Sequence, residues 1–93
     1  MKKIVYVTRM FQTEQTLMVY EDGNKIDMIQ TTLENMYLDM FALMKKHNVW
    51  HLDLIGPKAF STGLSKEIEV RFFNHFSREE SKGSIPELEI NII

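Results

Sequence analysis

Apolar residues along this chain recur at two spacings, every second position in short runs and every third or fourth in longer ones. Lys3 to Phe11 is β-branched and aromatic and is apolar on both alternate sets, Ile4, Tyr6 and Met10 on one and Val5, Val7 and Phe11 on the other. A strand with two apolar faces belongs in the middle of a sheet. After the polar turn QTEQ, Thr16 to Tyr20 reads as a second strand. EDGNK then reads as a tight hairpin turn, with Gly23 and Asn24 taking the positive φ that such turns demand. Lys25 to Ile29 is a short third strand, and the charges of Lys25 and Asp27 inside it mark an edge.

The spacing then changes. Thr31-Thr32-Leu33-Glu34 matches a capping box, Thr31 as N-cap and Glu34 reaching back. Leu33, Met36, Tyr37, Met40, Phe41 and Met44 form one helical stripe. Lys45, Lys46 and His47 complement the dipole at its end, and Asn48 suits a left-handed cap. Val49 to Ile55 is a fourth strand, closed by Gly56-Pro57. Phe60, Leu64, Ile68, Phe72 and Phe76 lie four apart and predict a second helix. Within it KEIEVRF also alternates like a strand, but the four-residue spacing persists longer and decides for helix. Gly63 costs that helix about 1 kcal/mol against Ala, and Ser61 is its expected cap. Residues 78–86 read as a solvated loop. Glu87 to Ile93 closes the chain as a strand, with Leu88, Ile90 and Ile92 on one face.

The order is βββαβαβ, a single α+β domain over residues 1–93. Right-handed crossovers put both helices on one face. The expected sheet is five-stranded and mixed, in the order 3-2-1-4-5, with strand 2 antiparallel to the rest.

Composition narrows the function more than the fold. The net charge is −2 and no region is strongly basic, so general attraction to nucleic acid or an anionic membrane is not expected. There is no cysteine, which removes disulfides, thiolate metal sites and a Cys nucleophile, and fits a cytoplasmic protein. MKKIVYVTRMF has the basic start of a signal peptide, but Arg9 interrupts its apolar run and no small-residue cleavage site follows. No apolar run approaches the roughly 20 residues of a membrane span.

In LDLIGPKAFSTGLSKEI the strand, the break and the Gly-Leu pair resemble the fourth strand and following helix of the ribonuclease H-like fold. TTLENMYLDMFALMKK resembles the first long helix of that family. The resemblance implies carboxylates from the first strand, the first helix and the end of the fourth strand, holding two divalent metals that clamp a phosphodiester. The first-strand acid would fall at Thr8 or Arg9, the helix acid at Asn35 beside Glu34, and the fourth-strand acid near Gly56, with Asp53 inside the strand. Without the first-strand carboxylate the metal pair does not assemble. The family's usual last helix is not expected either. The resemblance implies a reduced, non-catalytic member with no cofactor.

His47, His51 and Asp53 spell HxxxHxD, a metal-like string, but one histidine ends a helix and the other lies in a strand. His51 and Asp53 share a strand face, which leaves a weak site open there. Ser61, Ser65 and His75 lack the surroundings of a nucleophile elbow. Gly56-Pro57-Lys58 reads as a turn rather than a phosphate loop. Of seven methionines, Met36, Met40 and Met44 fall on the core stripe, which leaves Met10, Met18 and Met28 for contacts.

With both helices on one side, the other sheet face lacks a cover, and an uncovered apolar face or unpaired edge is commonly closed by a partner. The expectation is a small non-enzymatic protein-interaction module that self-associates and acts as a regulator or accessory subunit, of a size suited to a phage or mobile element. Tyr6, Arg9, Met18, His51 and Asp53 are its expected contact residues. The alternative is a nucleic-acid-binding or weakly metal-dependent nuclease-like domain with Glu34, Asp39 and Asp53 as ligands.

Overall fold

A computed structural model describes residues 1–9, 12–79 and 85–93. The elements run β1 (Lys2–Val7), β2 (Glu14–Glu21), β3 (Asn24–Thr32), α1 (Met36–His47), β4 (His51–Ile55), α2 (Lys58–Glu79) and β5 (Glu89–Ile92). They form an α+β domain whose single mixed sheet has the order β3-β2-β1-β4-β5. β2 is antiparallel to β1 and β3, while β1, β4 and β5 are mutually parallel. The expected order and directions both hold.

β1 stops at Val7, earlier than the apolar run suggests, and Met10 and Phe11 lie outside the described residues. Thr8 still bonds to β4 through its backbone N–H (2.8 Å) and its hydroxyl (3.0 Å), both donated to the Ile55 carbonyl. Gly56 follows at once, and a Cβ there would stand 1.8 Å from the Thr8 hydroxyl oxygen. Only glycine permits that approach.

Three local expectations need correction. The hairpin turn uses Asp22 (φ 51°) and Gly23 (φ 85°), not Gly23 and Asn24. Aspartate tolerates the left-handed region, so the turn shifts back one residue. The Thr31–Glu34 capping box does not form. β3 pairs with β2 as far as Gln15↔Thr31 and Glu14↔Thr32, so the ladder claims the residues that would have capped the helix. α1 begins at Met36 with Asn35 as N-cap, and Leu33 is left exposed outside it. Ser61 is not a cap either. α2 starts three residues earlier, at Lys58, and the Ser61 hydroxyl is buried inside it with no hydrogen-bond partner among the described residues.

At its other end α1 finishes as predicted, with Asn48 left-handed (φ 53°) and the Val49 N–H returned to the Met44 carbonyl at 2.9 Å. α2 is helical through KEIEVRF. Of the expected 78–86 loop, residues 78 and 79 instead end α2, and residues 80–84 lie outside the described residues.

One core joins the two helices to the sheet. Met36, Met40, Phe41 and Met44 of α1 and Ile68, Phe72 and Phe76 of α2 pack with Ile4, Tyr6, Leu17, Val19, Leu52 and Leu54. Those strand residues alternate with Val5, Met18 and Asp53, so both helices lie on the same face. Phe41 binds the helices together, edge-on to Phe72 (5.8 Å) and Phe76 (5.9 Å), and Trp50 meets Phe76 at 5.5 Å.

Candidate functional site: the bare sheet face

Registers Val5↔Met18, Val5↔Asp53 and Met18↔Met28 set these side chains on the face away from the helices. Val5, Val7, Met18, Tyr20 and Ile55, with Lys3 and Gly23, line a shallow concavity of about 470 Å³. Met28 and Ile55 are 48% and 36% exposed, although each occupies a strand position. The far end of the same face is polar. Asp53 is 5% exposed, and its two oxygens take Lys3 Nζ at 2.9 Å and Asn91 Nδ2 at 3.2 Å. His51 Nδ1 stands 3.0 Å from Glu89 Oε2, within ion-pair reach but off the line of a hydrogen bond. The face is thus an apolar strip over β1 and β2 beside a charged patch over β4 and β5.

Of the residues expected to meet a partner, Met18, His51 and Asp53 lie on this face, and Arg9 is exposed beyond the end of β1. Tyr6 does not. It pairs with Leu17 and Leu54, which turns it into the core at 1% exposure. Its hydroxyl donates to Gln15 Oε1 at 2.6 Å, and Gln15 Nε2 donates to the carbonyls of Gln12 (2.7 Å) and Arg9 (3.2 Å). Tyr6 therefore anchors the β1–β2 connection from beneath. Burial pushes its phenol up to about 12. Val5, Val7, Tyr20 and Ile55 were not singled out beforehand. Their signal was the second apolar set of strand 1, continued one strand over by Met18 and Tyr20.

The metal reading gathers no site. Glu34 precedes α1. Asp39 accepts a hydrogen bond from the Thr31 hydroxyl on the helix side, and Asp53 sits under Lys3 on the bare side. No group of three His, Asp or Glu that could hold an ion occurs among the described residues. The HxxxHxD residues also separate: His47 Nε2 bonds to Asp27 at 2.8 Å, while His51 faces Glu89. Among the described residues no helix is long and apolar enough to cross a membrane.

Asp27 has a task of its own at the β3 edge. Its Oδ1 accepts the Met28 N–H at 2.8 Å, and its Oδ2 takes His47 Nε2 at 2.8 Å and Lys46 Nζ at 3.3 Å. The His47 hydrogen bond, then those from Met28 and Lys46, hold this carboxyl below its ordinary value. A bulge lies alongside, where the register jumps from Val19↔Asp27 to Tyr20↔Lys25 and leaves Ile26 unpaired.

No family model matches this sequence, and neither the curated proteins nor the solved structures contain a significant match.

Proposed function

We propose that this protein is a small non-enzymatic interaction module, self-associating, that presents the bare face of its sheet to a protein partner as a regulator or accessory subunit. The observation that carries the reading is the apolar strip of Val5, Val7, Met18, Tyr20 and Ile55 on a face no helix covers. Contiguous exposed apolar surface on a small domain marks a contact site. The charged patch of Lys3, Asp53, His51 and Glu89 beside it supplies the polar rim that fixes orientation. The strand order and the β4–α2 step support a ribonuclease H-like ancestry for the fold, with Thr8 and Arg9 at the end of β1 in place of a metal-holding acid.

Two measurements test this. Sedimentation at concentrations on the order of tens of micromolar, the range in which a small interface persists, should give a mass above the monomer. A strict monomer removes the self-association. A photo-crosslinking residue in place of Met18, introduced in the native host, should trap one defined protein. The same probe at exposed Glu67 on the α1 side of α2 should not. Equal, scattered labelling from both positions removes the bare-face reading.

A further inference from the structure

The two edges of the sheet are built differently. The β3 edge is bulged at Ile26, and a backbone donor beside the bulge, the Met28 N–H, is already held by Asp27. Bulges and charges of this kind discourage pairing with another chain. β5 is only four residues long, but among the described residues it has no bulge and no side chain that holds one of its outward N–H groups. The N–H groups of Glu89 and Ile93 point inward to the carbonyls of Trp50 and Leu54, both at 2.9 Å. Backbone groups alternate in direction along a strand, so Ile90 and Ile92 turn theirs outward. Among the described residues no strand meets them.

α2 overhangs this open edge with apolar side chains. Ile68, Phe72 and Phe76 point into the core, and Arg71, His75 and Arg78 line the groove against α1. At about 100° per residue, Phe73 falls on the flank opposite that groove, the side beyond β5, with exposed Glu69 on its sheet side and Val70 on its outer side. Phe73 and Val70 are both 58% exposed. Their height along the edge can be placed as well. Phe76 packs on Trp50, whose carbonyl receives the Glu89 N–H. α2 runs antiparallel to β5, as a crossover helix between parallel strands must. From Phe76, Phe73 lies about 4.5 Å back along the helix, and from Glu89, Ile90 lies about 3.3 Å onward along the strand, so the two stand level.

We infer that a second copy of this chain pairs its β5 antiparallel with this one, about a two-fold axis at Ile90. The inference rests on the self-association proposed above and names its surface. In this register Ile90 meets Ile90 of the second copy through the outward N–H and C=O groups of both, and Leu88 meets Ile92, all on the helix side. Glu89 then faces Asn91 of the second copy on the bare side, a carboxylate opposite an amide, and no like charges are directly opposed. The two α2 helices come side by side at roughly 10 Å, the spacing of packed helices, and Phe73 and Val70 fill the seam. The strip covered is on the order of 500 Å² per copy, at the low end of specific contacts. The bare face stays open for the partner.

The test exploits the lack of cysteine. Ile90→Cys places one thiol on the axis, where facing Cα atoms of a hydrogen-bonded antiparallel pair are about 5.5 Å apart, within disulfide reach. Under mild oxidation Ile90→Cys should convert to a disulfide dimer. Met28→Cys, in the middle of the guarded β3 edge, should stay monomeric. Phe73→Glu is exposed and should keep its circular dichroism while weakening the dimer more than tenfold in sedimentation. A wild-type dimer that tolerates Phe73→Glu, or that crosslinks through Met28→Cys or Met18→Cys and not Ile90→Cys, overturns the edge assignment and leaves self-association standing. A wild-type monomer overturns both.

Discussion

On β1 and β2 the covered face presents Ile4, Tyr6, Leu17 and Val19, and the bare face presents Val5, Val7, Met18 and Tyr20. Side-chain size and apolarity barely separate the two sets. The first four are at most 1% exposed; of the second four Val5 is 7% exposed and Val7, Met18 and Tyr20 are partly buried. What separates them is chain handedness. Both βαβ steps, β3 to β4 and β4 to β5, cross on the same side. Among the described residues one face receives both helices and the other receives none. A strand that is apolar on both faces then buries one under the helices and leaves the other without that cover.

The largest expected effect tests the covered side. Phe41 holds α1 against Phe72 and Phe76 at 2% exposure, so Phe41→Ala should lose about 3–5 kcal/mol of stability in urea unfolding. Met18→Ala on the bare face should lose less than about 1 kcal/mol in the same experiment at low protein concentration. Equal losses would mean that the bare face is packed within the monomer, and the contrast between the faces would fail.

Much of this fold could be read from periodicity. The long stripe Met36–Met44 and the four-residue spacing from Phe60 to Phe76 specified both helices, since a buried helix face repeats over many residues. Strand order followed from the handedness of crossovers. The errors lie where two local devices compete for the same residues. Thr31 and Thr32 suit a cap and also suit a strand, and pairing with Gln15 and Glu14 across the hairpin decided for the strand. Tyr6 was assigned to the surface because nothing in one strand says which of its two apolar sets faces the helices. The phenol that looked like a contact group instead satisfies Gln15 in the core. The charge of Asp27 marks β3 as an edge in the sequence, but its bonds to His47 and Lys46 could not be read, because those side chains reach it from α1, some twenty positions away along the chain.

Tyr6 itself gives an intermediate effect. Tyr6→Phe keeps the ring and leaves Gln15 Oε1 buried without its donor, which should cost about 1–3 kcal/mol. It should also alter the alkaline limit. Burial raises the Tyr6 phenol to about 12 from an ordinary 10.0, so above pH 10 the unfolded chain loses this proton while the folded chain keeps it. Stability from this group is complete below pH 10 and declines between 10 and 12. Tyr6→Phe should flatten that decline without abolishing it, because burial also raises Tyr37. An unchanged alkaline slope would mean that the phenol is not buried in solution.

The smallest expected effect separates the guarded edge from the open one. The bonds from His47, Met28 and Lys46 hold the Asp27 carboxyl below its ordinary 3.8, so the unfolded chain takes up this proton first as pH falls. The contribution is present above that ordinary value and is lost as pH drops through the folded one. Asp27→Asn should make the acid decline of stability shallower in that window, and it should remove a charge that pins β3 to α1. With the β3 edge so loosened, Met28→Cys in the Asp27→Asn background should begin to form disulfide dimers that the single Met28→Cys variant does not. Crosslinking that stays absent in the double variant would assign the silence of this edge to the Ile26 bulge rather than to the carboxylate.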